Sequence, residues 1–329
     1  MFRFALASAL LLTVLSAHPT AAATTLTVSA GAESADREVQ LNAFAPAVTS
    51  INVGDTVTWR LDSTEFHTVT FLAGQPEPEF VEGSPEGPLL NPAAAFPAGG
   101  TSYDGTTYTN SGLLMLSGPN RPTYSLTFPR AGSYDYICIV HPGMQGRIVV
   151  NPAGQQADTQ ATVDARRKDE VNSLLATQAI SVIMTNAGEL PAEGVTAGLA
   201  MGAGGGLVDV QRFFPPRVTI HAGDSLTWIN RSFAPHTVTF LAGGEPPAVI
   251  VPQPQPNGPP RLLLNPEMFL PAGDAADYDG SGYLNSGFKE PGPQGTFTVT
   301  FSQPGTYPYL CLLHDGMTGV VIVQPSSSE

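Results

Sequence analysis

Cys138, His141 and Met144 fall within seven residues of one another, and Cys311, His314 and Met317 repeat the same Cys-x2-His-x2-Met spacing near the C-terminus. A thiolate, an imidazole and a thioether on one short loop are ligands for a soft, redox-active copper ion. Such a site needs one more imidazole to complete a His₂Cys set with a weak axial Met. The chain offers it twice, as His67 in Phe66-His67-Thr68-Val69-Thr70-Phe71 and as His236 in Pro235-His236-Thr237-Val238-Thr239-Phe240. The residues therefore predict two copper ions per chain. One is held by His67, Cys138, His141 and Met144, the other by His236, Cys311, His314 and Met317.

These ligands sit in an internal repeat. His67 and His236 are 169 positions apart, as are Trp59 and Trp228, so the two copies match there without a gap. Leu89-Leu90-Asn91-Pro92, Tyr103-Asp104-Gly105 and Asn110-Ser111-Gly112 return as Leu263-Leu264-Asn265-Pro266, Tyr278-Asp279-Gly280 and Asn285-Ser286-Gly287. Two copies at so long a period mean tandem domains rather than a solenoid. The expected divisions are a leader at 1–23, a first domain at 24–152, a helical and Gly-rich linker at 153–207, and a second domain at 208–329.

Within each copy the pattern is one of strands. Thr56-Val57-Thr58-Trp59 and Thr123 to Phe128 alternate with period two and are rich in β-branched and aromatic residues. Ser133 to Ile137 leads into Cys138, and Gly146 to Val150 closes the copy. The expectation is an all-β chain of two Greek-key β-sandwiches. Two long Pro/Gly-rich loops, 73–122 and 242–295, interrupt them. Their shared motifs predict ordered loops that pack on the sandwich, screening the metal edge or forming a docking surface. Val171, Leu174, Leu175, Ala179 and Val182 recur at helical spacing, predicting one amphipathic helix over about 160–184.

Composition narrows the partners. With 14 basic and 28 acidic residues the net charge is -14, which disfavours nucleic acid and anionic membranes and favours a redox partner with a basic face. Met1-Phe2-Arg3, the apolar run Phe4 to Leu15 and Ala21-Ala22-Ala23 predict a cleaved signal peptide and a periplasmic or secreted protein. No other segment is long and apolar enough to span a membrane. Two Cys in an exported chain ordinarily suggest a disulfide. Here each has its own His and Met beside it, so the expectation is two separate metal-bound thiolates.

The ligand set resembles the cupredoxins of the plastocyanin, pseudoazurin and amicyanin type, and the short Cys138-x2-His141-x2-Met144 loop is closest to the amicyanin form. The resemblance covers both halves. It implies a type 1 blue copper centre in each, electron transport without catalysis, and His141 and His314 as the partly exposed edges through which electrons leave. Two-domain copper oxidoreductases such as nitrite reductases share this fold but need further histidines. Of six His, four are ligands, His18 lies in the leader, and only His221 is spare. It is expected at a surface strand end. Copper storage or delivery is the other alternative, though 7 Met are few for it. Asp315 beside His314, where the first copy has Pro142, predicts a lower potential at the second site.

Overall fold

A computed structural model of the chain describes residues 22–186, 197–292 and 294–326. The expected leader falls outside the described residues but for Ala22 and Ala23. The fold is all-β, two sandwiches in tandem, and a single eight-stranded sheet runs through both. Its order is Thr123–Thr127, Thr56–Leu61, Thr25–Glu33, Val39–Ala45, Val208–Phe214, Ala197–Gly205, Ser225–Asn230 and Thr296–Thr300. The second half thus repeats the first in mirror order. At the joint Val39, Gln40 and Leu41 pair antiparallel with Val210, Asp209 and Val208. The strand Ala197–Gly205 belongs to this sheet although it precedes residue 208.

Each half closes its sandwich with a second sheet. The strands Gln145–Asn151 and Gly132–Ile137 anchor one, and Thr318–Gln324 and Gly305–Leu310 the other. Alternation decides which side chains enter the core. Val57, Trp59 and Leu61 point inward and their neighbours outward. Trp59 meets Tyr136 edge-on at 5.2 Å between ring centroids, and Trp228 meets Tyr309 in the same way at 5.3 Å. These aromatic pairs belong to the same core clusters as Cys138 and Cys311.

The helix spans Gln160–Asn186, two residues beyond its expected end. Val171, Leu174 and Leu175 pack on Val39, Leu41, Val208 and Val210, so the helix lies along the joint between the halves. The side chains of Ala179 and Val182 are outside the described residues. Gln160 pairs with the backbone of Thr27, and Glu170 accepts from Ala47 N. No helix among the described residues is long and apolar enough to cross a membrane.

The two long loops are ordered and join each other. Val81–Glu82, Leu89–Leu90, Arg261–Leu264 and Ile250–Gln253 form a four-stranded sheet, with Leu263 opposite Leu89. Beneath it Leu90, Ala95 and Leu264 are buried against Phe80, Phe96 and Phe269. The repeated motifs are the loop's hydrogen-bond fixtures. Asn91 and Asn265 cap one-turn helices whose first residue is proline. Asn110 donates to the carbonyls of Ala93, Ala94 and Phe96, and Asn285 to those of Glu267, Met268 and Leu270. The loops therefore form a clasp between the halves.

Leu264→Ala removes a buried side chain from this small cluster and should cost about 2–3 kcal/mol locally. In limited proteolysis the unaltered protein should resist cutting within 73–122 and 242–295, and the variant should be cut there first. Equal cutting of both would contradict the clasp.

Candidate metal centres

Each expected ligand can be followed from its backbone. Cys138 directly follows the strand Gly132–Ile137, and its loop is closed by Cys138 N–H donating to Met144 O at 2.9 Å and Met144 N–H donating to His141 O at 3.1 Å. The second copy has the same bonds, Cys311 N to Met317 O and Met317 N to His314 O. The turn needs a residue at positive φ, and Gly143 and Gly316 both supply φ 86°. His67 is held beside this strand, in the segment leading to Thr70–Phe71 of the same sheet, by an antiparallel bridge to Leu114, and His236 by one to Lys289.

The donor atoms converge. Cys138 Sγ lies 3.8 Å from His67 Nδ1 and 3.7 Å from His141 Nδ1. Cys311 Sγ lies 3.9 Å from His236 Nδ1 and 3.4 Å from His314 Nδ1. In each half the nitrogen, sulfur and nitrogen atoms lie within 4.8 Å of one another. Met144 and Met317 are each 1% exposed and pack in the same core clusters as Cys138 and Cys311. His221 stands apart, exposed at the end of the strand Arg217–His221, with Nδ1 3.9 Å from Asp224. Both cysteines are free and buried.

Several supporting residues were not singled out from the sequence. Ser63 Oγ pairs with His67 Nε2 at 3.0 Å and Ser232 Oγ with His236 Nε2 at 2.7 Å, fixing each ring with Nδ1 turned inward. The identical Ser-x3-His spacing in both copies was the available signal. Thr68 N–H donates to Cys138 Sγ at 3.4 Å and Thr237 N–H to Cys311 Sγ at 3.3 Å. Their hydroxyls accept from Ile139 N and Leu312 N, locking the two ligand-bearing segments together. Gly31 and Gly202 sit at bulges in their strands at positive φ, and a Cβ on either would overlap the Nε2 of His67 or His236.

The donor chemistry fits copper. Sulfur and imidazole without a carboxylate favour a soft or borderline ion, and a nearby thioether favours copper over zinc. Electrostatics differ between the halves. Burial, then the charge of His141, holds His67 well below the usual imidazole range. Burial and the charge of His314 push His141 down to about 3, and burial raises the Cys138 thiol. Burial also opposes charge at the second site, but there His314 and Cys311 sustain each other. The thiol is held well below its ordinary value and the imidazole lifted to about 10, helped by Glu65 and Asp209. Contrary to the expectation from the resemblance, His314 is not an exposed edge. It is 6% exposed, covered by Glu65 from the first half, while His141 stays half-buried.

Gly31→Ala should displace the His67 ring. Metal analysis should find the first site lost and the second retained; full metal content would contradict the close approach. In the metal-free protein, His67 and His141 are depressed below 6.5, so between that pH and the folded value the unfolded chain binds more protons than the folded one. Stability should fall as pH drops from 6.5 to about 5, a window above most carboxylate titration. A urea midpoint unchanged over that window would contradict it.

Comparison with known proteins gives the same picture. The family described as "Copper binding proteins, plastocyanin/azurin family" matches residues 30–151 and 201–324. Chloroplastic plastocyanin of Physcomitrium patens is 32% identical over 114 residues, covering 34% of this chain and 49% of that protein. Amicyanin of Paracoccus denitrificans is 33% identical over 100 residues, covering 30% of this chain and 52% of that protein. The chain spans about half the length of these relatives. A solved Cu(I) form of an amicyanin mutant is 24% identical, covers 41% of this chain and 86% of that one, and gives a TM-score of 0.25, too low to carry weight. Matched over both its halves, the chain belongs to the plastocyanin/azurin copper-binding family.

Proposed function

We propose that the chain is a one-electron carrier with two type 1 copper sites. His67, Cys138, His141 and Met144 hold one, and His236, Cys311, His314 and Met317 the other. The observation that carries this reading is the convergence of two imidazole nitrogens and a thiol sulfur in both halves. Bound copper supplies the Cu(II)/Cu(I) couple, and the protein's part is to hold the ligands still. Ser63 and Ser232 orient the imidazoles before any metal arrives. The N–H groups of Thr68 and Thr237 stabilise an electron-rich sulfur. Burial of Cys138 at 2% and Cys311 at 3% excludes water, so little solvent rearranges when charge changes.

The carrier reading extends to its surroundings. The proposed domains are 24–152 and 208–329, with the segment 153–207 supplying the helix and one sandwich strand. The proposed location is periplasmic or extracellular, resting on the leader-like residues 1–23. The proposed partner is a redox protein with a basic face, since the net charge is -14. His221 lies outside both ligand groups and is given no catalytic part.

Metal analysis with an optical spectrum tests this directly. The purified protein should hold two coppers per chain and show an intense thiolate-to-Cu(II) band. Cys138→Ser and Cys311→Ser should each remove one copper and about half the band. A colourless protein without copper would overturn the reading.

A further inference from the structure

The fold repeats across the seam between the halves, but its charges do not. At the 169-residue offset Glu65 corresponds to Ala234, Asp209 to Gln40, and Gln211 to Asn42. The strand joint sets Gln40 opposite Asp209. Around His314 the seam is therefore acidic, and the matching positions on the other side carry no charge. Glu65 Oε1 lies 4.0 Å from His314 Nε2, the ring nitrogen turned away from Cys311. The same oxygen accepts from Gln211 Nε2 at 2.7 Å, and Gln211 reaches Asp209 Oδ2 at 3.4 Å. Asp209 is 5% exposed and its Oδ1 has no hydrogen-bond partner. A carboxylate pair tied together by one amide is thus closed into the seam beside a single imidazole.

We propose that Glu65, carried by the first half, is a positioning residue for the metal site of the second half, and that with Asp209 it makes the second site the lower-potential member of an internal pair. This rests on the copper reading above and deepens it. An oxidised site carries one more positive charge than a reduced one, and part of it spreads over the imidazole. An anion held against the outer nitrogen favours that oxidised state, and in a buried seam solvent screens it little. The exposed Asp315, next to His314 in sequence, is screened far more. Burial of His314 acts in the opposite sense, which is why the carboxylate must be isolated by substitution. Glu65 also stands two residues before His67, a reach of about 7 Å of extended chain, so the same segment touches both sites. A chain holding one electron keeps it on the first site. One electron leaves the second site as one arrives at the first, with no bond made or broken and no proton moved.

The test is spectroelectrochemical titration of full-length Cys138→Ser, which leaves the second site alone, and of Cys311→Ser, which leaves the first. Each is measured with and without Glu65→Gln. The second site should have the lower potential, Glu65→Gln should shift it upward, and Glu65→Asp should recover part of the shift. The first site should move less. Ala234→Glu, which puts a carboxylate at the position corresponding to Glu65, should lower the first site and serves as the reciprocal variant should Glu65→Gln fail to fold. If the proteins bind copper with unaltered visible bands while Glu65→Gln leaves the second potential in place or moves both sites equally, the role of Glu65 is overturned. Absence of copper and of the band would instead overturn the copper reading.

Discussion

The structure depends on one strand pairing, Val39–Ala45 against Val208–Phe214. Two sandwiches that share an edge in this way are related by an approximate two-fold axis at the joint. Features that repeat in sequence are therefore brought to face one another. The strand Val39–Ala45 is buried along its whole length, which an edge strand of a single sandwich would not be. Pairing of Val39, Gln40 and Leu41 with Val210, Asp209 and Val208 covers part of the edge that each half would otherwise expose. The helix Gln160–Asn186 lies along the joint, and the loop clasp ties the halves again elsewhere.

Within each half the metal loop is a rigid insert rather than a flexible arm. Its ends are closed by backbone bonds, its turn is set by a glycine, and its cysteine is backed by a large aromatic cluster. The histidine from the neighbouring strand segment is fixed by a serine, a backbone bridge and a close-packed glycine. Such a cluster is held by the fold in the arrangement that the proposed copper would need.

Much of this was legible in the sequence because it depends on local spacing. The ligand loop, the alternating strands, the repeat and the helix are each written in short stretches. The shared Asn-Pro and Asn-Ser-Gly motifs signalled ordered loops, although not what the loops bind. The pairing of Leu89 with Leu263 joins residues far apart in sequence and has no local signature. The same reason hid the burial of His314. Its exposure was inferred from the family's single-domain form, and the joint between the halves is a tertiary product. Glu65 carries no local motif, and only the seam makes it a neighbour of His314. The electrostatic difference between the halves therefore lies less in Asp315, which is exposed, than in Glu65 of the first half and Asp209 at the joint.

If the two halves meet as described, the metal sites are neighbours within one molecule. Pulsed electron paramagnetic resonance of the fully oxidised protein, diluted to suppress contacts between molecules, measures this directly. The expected result is dipolar coupling between two Cu(II) centres that disappears in Cys138→Ser. Two Cu(II) signals with no coupling between them would contradict a seam that brings the sites face to face.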